Sequence, residues 1–236
     1  MIQNTFIMSD IHGEYELFLK MLKKINFSKS DKLVILGDVL DRGKGSIKIL
    51  EYIMGKDNIE LIMGNHEKMF LDFVLAKNEN DKYFAYHMWM NNGGYTTLAE
   101  YDRLNTYKQE EIVNFLRNLP MYKVIDNYSL VHSGLNMSGL SLNLSIDKII
   151  EVQSDEDFLW SREEFYNYKA VEGFIVIFGH TPTPFLRGQN EDYDFTIWHD
   201  ERYKDKIGID TGATFGEIGG KLSCIRLNDE KEFYVK

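Results

Sequence analysis

Short apolar runs recur along the chain, and each of them ends in polar residues, as is typical of a buried strand that opens into a loop. The first three runs are Phe6–Met8, Leu33–Leu36 and Ile59–Ile62. They begin about thirty residues apart, close to the length of one strand–helix–strand unit, so we expect their polar ends to lie side by side. Glu14–Asn26 and Ser46–Met54 have the apolar spacing of helices. The pattern predicts a β-α-β-α-β core.

The segment between the third and fourth predicted strands has a different pattern, because helical periodicity replaces the short apolar runs. Helices are predicted over Lys68–Ala76, Asp81–Met90 and Thr106–Leu119. The last of them starts with a capping-box pattern, in which Thr106 is followed three residues later by Gln109. We therefore predict a mainly helical insertion around residues 68–122.

Short strands return in the last third of the chain, joined by Gly-rich or polar turns. An apolar run before His132 leads into this region, with a helical piece near Ser145–Val152. The predicted strands are Phe174–Phe178, Phe195–Trp198, Ile207–Asp210, Leu222–Leu227 and Glu232–Val235. No repeat or obvious linker divides the sequence. We predict an α/β (α+β) fold, in which two packed mixed sheets flanked by helices form one domain over residues 1–236.

Six polar residues at the ends of these runs carry metal-ligating groups: Asp10, His12, Asp38, Asn65, His132 and His180. A set of oxygen and nitrogen donors without sulfur suits Mn²⁺, Fe or Zn²⁺ and disfavours a structural thiolate zinc site. Two ions ~3.5–4 Å apart that share one carboxylate would use all six groups and would suit phosphate ester hydrolysis. Each residue alone also has a structural explanation, such as a helix cap for Asp10 or a turn for Asn65.

Composition narrows the class of protein further. The formal net charge of −10 argues against broad binding to nucleic acid or to an anionic membrane. The single cysteine, Cys224, cannot form an intrachain disulfide and is expected to be a small buried hydrophobe. No signal-peptide pattern opens the sequence, and no apolar run approaches the ~20 residues needed to cross a bilayer. We expect a soluble cytoplasmic protein.

Several motifs resemble those of one enzyme family. Asp-Ile-His-Gly at 10–13, Gly-Asp-Val-Leu-Asp-Arg-Gly at 37–43 and Gly-Asn-His-Glu at 64–67 resemble the three signature motifs of the phosphoprotein phosphatase branch of the calcineurin-like metallophosphoesterases. Later segments that resemble the family lie at 132–134, 160–162, 179–182 and 209–213. The resemblance covers nearly the whole chain and extends to small bacterial and phage serine/threonine phosphatases and to diadenosine tetraphosphate hydrolases. It implies a four-layer sandwich of two sheets flanked by helices.

The resemblance also implies the role of each candidate site residue. The implied metal ligands are Asp10 and His12 for the first ion, Asp38 as the bridge, and Asn65, His132 and His180 for the second ion. A hydroxide between the two ions, which are expected to be Mn²⁺ with Fe or Zn as alternatives, would attack phosphorus.

A second group of residues would handle the proton and the phosphate. His66 would be the general acid, oriented by Asp41, and Arg42 and Arg162 would clamp the phosphate together with Asn65. Two of these roles have alternatives, because His66 could itself be a metal ligand and Arg162 could lie on a helix surface. Met63 is a departure, since many relatives carry an arginine there that contacts phosphate.

The leading functional hypothesis is a metal-dependent phosphoester hydrolase that acts as a serine/threonine protein phosphatase. Its alternative is a hydrolase of dinucleoside polyphosphates such as diadenosine tetraphosphate, and a third is an inactive scaffold that binds phosphoprotein. The expected partner is thus a phosphorylated protein or a nucleotide. Four aromatic residues have helical spacing, and we interpret them as packing residues rather than as a platform for base stacking: Tyr83, Phe84, Tyr86 and Trp89. A stacking platform would instead favour a nucleotide substrate.

Overall fold

The computed structural model describes residues 3–141, 144–188 and 193–236, and in this part of the chain ten strands form two five-stranded sheets. The strands are β1 Thr5–Met8, β2 Lys32–Ile35, β3 Ile59–Leu61, β4 Tyr122–Ile125, β5 Tyr128–Val131, β6 Ile175–Phe178, β7 Trp198–His199, β8 Lys206–Gly208, β9 Leu222–Arg226 and β10 Lys231–Val235. The first sheet has the order β10-β9-β1-β2-β3, and the second has the order β4-β5-β6-β8-β7.

The first sheet is built around the predicted β-α-β-α-β core. β1, β2 and β3 are parallel and are joined by the helices α1, Tyr15–Lys24, and α2, Ser46–Met54. Met8 pairs with Ile35, and Ile35 pairs with Leu61, so the three strands end at the same level. The residues that follow these strands therefore leave the sheet at one edge.

The second sheet brings two further strand ends to the site. β5, β6 and β8 are parallel, whereas β4 and β7 are antiparallel to their neighbours. His132 follows β5 directly, and His180 follows β6 after one glycine. The helices of this half are α7 Ile146–Glu151, α8 Asp155–Trp160, α9 Glu163–Tyr166 and α10 Thr183–Leu186.

The two sheets pack face to face, with helices on their outer faces. One hydrophobic cluster lies between the sheets and includes Ile7, Val34, Leu130 and Ile177. Alternate residues such as Phe6, on the other face of β1, join the larger cluster that contains the helices. This architecture confirms the predicted fold of two packed mixed sheets flanked by helices.

The helical segment between β3 and β4 contains four helices where three were predicted: α3 Asn65–Val74, α4 Glu79–Asn91, α5 Tyr95–Tyr101 and α6 Thr106–Arg117. The predicted cap of α6 was wrong by one residue. Asn105 is the extended N-cap residue, and its side chain accepts from the Lys108 N–H at 3.0 Å. That these helices form an insertion in a single domain stays a prediction.

Two predicted strands of the second sheet are shorter than expected. The strand predicted over Phe195–Trp198 is only Trp198–His199, because the backbone N–H of Ile197 donates to the Tyr234 hydroxyl rather than to a strand. The strand predicted over Ile207–Asp210 ends at Gly208, after which Asp210 enters the site. Among the helices that the structure describes, none is long and apolar enough to span a bilayer.

Candidate active site

The strand ends that carry the polar residues adopt an uncommon backbone conformation. Asp10, His12, Asp38, Asp41 and His180 have φ values of +48°, +47°, +53°, +71° and +63°. Few side chains tolerate the left-handed region, and Asp and His are among those enriched there. Each such residue costs about 1–3 kcal/mol and persists only where its surroundings hold it in place. The fold thus concentrates backbone strain where the candidate ligands lie.

One group of side chains meets on one oxygen of Asp38. The His12 Nε2 lies 3.6 Å from Asp38 Oδ2, and the His66 Nε2 lies 3.8 Å from the same oxygen. The Nδ1 of His12 lies 2.9 Å from the Leu40 carbonyl, to which it donates. That bond leaves Nε2 as the free ring nitrogen, with a lone pair that faces Asp38.

A second group meets on the other oxygen of Asp38. The His132 Nε2 lies 3.5 Å from Asp38 Oδ1 and 2.8 Å from Asn65 Oδ1. The His180 Nδ1 lies 3.1 Å from the same Asn65 oxygen. Asp38 therefore belongs to two groups that could each hold an ion. The first is His12, Asp38 and His66, and the second is Asp38, His132 and His180.

Asp10 lies beside these two groups rather than within either. Its carboxylate accepts the backbone N–H of His180 at 3.1 and 3.0 Å and also bonds the Ser9 hydroxyl. His66 takes the place expected for Asp10 in the first group. The six predicted ligands nevertheless converge on one buried region, each at most 8% exposed.

The charges of the site fit divalent cations. Burial raises the pKa of Asp10 and of Asp38, and repulsion by Asp210 and by Asp10, respectively, raises them further. Burial also lowers the pKa of His132 to about 3, and it lowers the pKa of His180. Neutral imidazoles are the ligating form of histidine, and clustered carboxylates need a cation between them.

An unpartnered atom points the same way. Among the described residues, the His180 Nε2 is buried and has no hydrogen-bond partner. A buried polar atom without a partner costs about 1–3 kcal/mol, and an ion would satisfy it. The donor set contains nitrogen and oxygen and no sulfur, which fits Mn²⁺, Fe or Zn²⁺.

The candidate general acid is held from the side opposite the Asp38 group. The His66 Nδ1 lies 2.6 Å from Asp41 Oδ2, and the Trp89 indole N–H donates to that oxygen at 2.8 Å. Burial lowers the pKa of His66, whereas the hydrogen bond to Asp41 raises it. Arg42, which is exposed, places its Nη2 3.2 Å from the His66 Nε2.

Arg162 contributes a second exposed guanidinium to the same region. It lies two residues after the end of α8, at the N-cap of α9, and donates from Nη1 to the Thr181 Oγ1 at 3.0 Å. It also acts electrostatically on His132 and His180, whose pKa values it lowers. Arg162 therefore lies between two helices rather than on the surface of one, and its role at the phosphate stays a prediction.

Three residues of the site were given no role from the sequence. Glu67 accepts backbone N–H bonds from the Asp38 loop, and Asp210 is a buried carboxylate whose pKa burial raises to about 6. Both lie within motifs that the sequence analysis identified, so their position in those motifs could have indicated a role in the site. Trp89 was interpreted as a packing residue, and this is confirmed. Its hydrogen bond to Asp41 joins residues 48 positions apart, so no local sequence pattern could predict it.

Comparisons with known proteins agree with this geometry. A family model described as calcineurin-like phosphoesterase matches residues 4–210. A curated relative from Bacillus cereus (strain Q1), "Bis(5'-nucleosyl)-tetraphosphatase PrpE [asymmetrical]", is 27% identical over 250 residues, with 93% of this chain and 89% of the relative covered. The protein of the same name from Bacillus thuringiensis (strain Al Hakam) is 26% identical with the same coverage.

Solved structures share the fold. A putative diadenosine tetraphosphatase has a TM-score of 0.63 and 21% identity, covering 99% of this chain and 93% of its own. A protein serine/threonine phosphatase from Saccharomyces cerevisiae, similar to human phosphatase PP5, has a TM-score of 0.63 and 14% identity, with 95% and 72% covered. A cold-active protein-tyrosine phosphatase from a Shewanella species has a TM-score of 0.57 and 19% identity, with 100% and 81% covered.

Proposed function

This chain belongs to the calcineurin-like phosphoesterase family, and from that premise we propose that it hydrolyses dinucleoside tetraphosphates asymmetrically. Family membership confirms the resemblance seen in the motifs and supports a metal-dependent hydrolase. The substrate proposal reverses the order of the two hypotheses drawn from the sequence. The observation that carries it is the name shared by the curated relatives, which align over 93% of this chain.

The metal ligands proposed here are the six predicted ones: Asp10, His12, Asp38, Asn65, His132 and His180. Asp38 is the proposed bridge, because His12 and His132 face different oxygens of its carboxylate. When bound, two divalent ions would polarise the phosphoryl group and make hydroxide available from water near neutral pH. We assume that Mn²⁺ is the native metal, with Fe or Zn as alternatives.

The protein's own side chains then have distinct roles. His66 would donate a proton from Nε2 to the leaving oxygen, while Asp41 stabilises its Nδ1–H. Arg42 and Arg162 would hold the phosphate oxygens with paired N–H donors, and Asn65 would face the substrate beside them. His66 is favoured as an acid over a ligand because Asp41 accepts its Nδ1–H and so stabilises the imidazolium form, which is the form that can donate from Nε2.

The test compares kcat/KM for diadenosine tetraphosphate with that for a phosphoserine peptide, with Mn²⁺ supplied. We expect the nucleotide to be favoured and to give a nucleoside triphosphate and a monophosphate, resolved by chromatography. A kcat/KM that favours the phosphopeptide would make serine/threonine phosphatase activity the leading hypothesis again. Failure to hydrolyse even p-nitrophenyl phosphate would support the inactive scaffold.

Serine/threonine phosphatase activity stays the second candidate, supported by the His66–Asp41 pair. A serine alkoxide is a very basic leaving group and needs a proton as the P–O bond breaks. A nucleotide that leaves from a phosphoanhydride is already a stable anion and needs that proton less. A buried acid with a 2.6 Å carboxylate partner is therefore of most use to a phosphomonoesterase.

A further inference from the structure

Trp89 and His66 donate to the same oxygen of Asp41. The indole Nε1 lies 2.8 Å from Asp41 Oδ2, and the His66 Nδ1 lies 2.6 Å from it. All three side chains are at most 1% exposed. Over the described residues, the other oxygen, Asp41 Oδ1, is buried without a hydrogen-bond partner. The orientation of the carboxylate is therefore set by two bonds to one atom.

A second donor matters because a carboxylate held by one bond can rotate about Cβ–Cγ and exchange its oxygens. The indole N–H of Trp89 is a second donor, independent of His66, and it prevents this rotation of the Asp41 carboxylate. Hydrogen bonds from outside the ligand set fix the orientation of metal ligands in the same way. The indole is also a neutral group that only donates, so it holds Asp41 without adding a charge beside Arg42. The backbone N–H of Asp41 is held as well, by Ser46 Oγ at 3.0 Å and Thr97 Oγ1 at 2.8 Å.

The indole itself has no room to move. Phe70 and Phe73 pack against it with ring centroids 5.4 Å away in each case. A Cβ added at Gly94 would lie 2.6 Å from three indole atoms, so the backbone of the next turn lies flat on the ring. The rigidity of α4 and of residues 91–94 is thus transmitted to Asp41 through one hydrogen bond.

We propose that Trp89 is a positioning residue for proton transfer, which fixes Asp41 and through it aims the His66 Nε2 at the leaving oxygen. This inference rests on the proposed function. In the step, an oxygen from water bonds to phosphorus, the P–O bond to the leaving group breaks, and the leaving oxygen takes the proton from His66 Nε2. The attacking water releases its own proton, so His66 can be reprotonated for the next turnover.

The experiment measures how Trp89→Phe changes the dependence on the leaving group. Phenyl phosphate releases a basic phenolate that needs a proton, whereas 2,4-dinitrophenyl phosphate releases a stable anion that does not. General acid catalysis is worth roughly 10²–10⁴-fold, so partial misalignment should lower kcat for phenyl phosphate about tenfold or more. We expect kcat for the dinitrophenyl ester, KM and bound metal to change little.

Two further variants separate positioning from packing. Phe73→Leu removes one ring contact of the indole but leaves Phe70 and the backbone at residue 94 against it, so the N–H bond stays and the ratio of the two kcat values should match that of the wild type. Gly94→Ala keeps the indole N–H but displaces the ring, so it should cause the same selective loss of kcat for phenyl phosphate as Trp89→Phe. It serves as the test variant if Trp89→Phe does not fold.

Equal losses on both esters, or none on either, would overturn the role of Trp89 while leaving the proposed function standing. A wild-type protein loaded with Mn²⁺ that hydrolyses neither these esters nor diadenosine tetraphosphate would overturn both.

Discussion

Both oxygens of Glu67 accept backbone N–H groups from the loops that carry the candidate ligands. Oε2 accepts from Asp38 and Gly64 at 2.7 and 3.1 Å, and Oε1 accepts from Val39 and Leu40 at 2.9 and 3.1 Å. Burial raises the pKa of Glu67 to about 7, although these N–H groups oppose the shift. The side chain ties the end of β2 to the start of α3, where Asp38 and His66 must meet.

We expect Glu67→Gln to lower the free energy of unfolding by about 2–3 kcal/mol. The amide nitrogen would face two N–H donors and leave them unsatisfied in a buried site. Urea denaturation of the metal-free protein measures this. Glu60→Gln is the matched control, because Glu60 makes a half-exposed ion pair with Lys123 and should cost less than about 1 kcal/mol.

His66→Asn tests the acid at the level of a single residue. We expect kcat for phenyl phosphate, whose leaving group needs a proton, to fall roughly 10²–10⁴-fold while bound metal, measured by atomic emission, stays as in the wild type. A variant that had lost its metal would instead identify His66 as a ligand, which its 3.8 Å distance from Asp38 makes worth testing.

Asp31 should make stability depend on pH in the acid range. Burial would raise its pKa, but hydrogen bonds from Ser28 and Asn4 outweigh burial and lower the pKa below 3.8. Its stabilising contribution is therefore complete above the unfolded pKa and is lost as the pH falls through the folded pKa.

Asp31→Asn should accordingly destabilise the protein by about 1–3 kcal/mol at pH 7, and by progressively less below pH 3.8. Urea titrations at a series of pH values measure the difference. A difference that grows on acidification would contradict the assignment.

At the scale of elements, α4 shows why four aromatic residues at helical spacing need not share one face. Trp89 is buried, so packing is confirmed for it, whereas Tyr86 is 38% exposed and keeps one ring contact, with Phe73. Tyr83 and Phe84 are 60% and 63% exposed, and for them the packing interpretation was wrong. The helix packs through one side only, and the segment just after it reaches Arg42, whose backbone N–H donates to the Gly93 carbonyl.

If these exposed rings stack a base of the substrate, Tyr83→Ala with Phe84→Ala should raise KM for diadenosine tetraphosphate about tenfold, since base stacking is worth ~1–3 kcal/mol. KM for p-nitrophenyl phosphate should not change, because that ester has no base. Tyr107→Ala, which removes a still more exposed ring from α6, is the control. Unchanged KM values for the nucleotide would rule out the stacking role.

The sequence predicted β1, β2, β3 and the ligand-bearing loops because those signals are local: an apolar run, its polar end, and a helix-length gap. It did not predict α5, whose helix depends on burying Thr97 and Tyr101 against other elements. Nor could it orient Asp10, since the partner of that carboxylate is the backbone N–H of His180. Tertiary contacts decide such features, and no local pattern carries them.

At the scale of the molecule, metal removal should lower stability as well as activity. Two ions would relieve the repulsion between buried Asp10 and Asp38, and each ion that binds only the folded state stabilises it by about 2.7 kcal/mol at a hundredfold excess over Kd. For a chain of this size that corresponds to a rise in Tm of roughly 5–11 °C.

Calorimetry before and after chelation, then with Mn²⁺ restored, measures that shift. Asp38→Asn should lack both the shift and the activity, because it weakens both groups at once. A wild-type Tm that did not respond to Mn²⁺ would count against the proposed ligands.

The contact between Asp10 and the His180 N–H joins positions 170 residues apart. Contacts of such sequence separation form late, because a long loop must close before they can be made. A nascent chain still emerging from the ribosome therefore carries the amino-terminal half of the site without the means to complete it. Catalytic competence should therefore arrive only after His180 has been made and has met Asp10, so that a nascent chain without His180 cannot act on the phosphates around it.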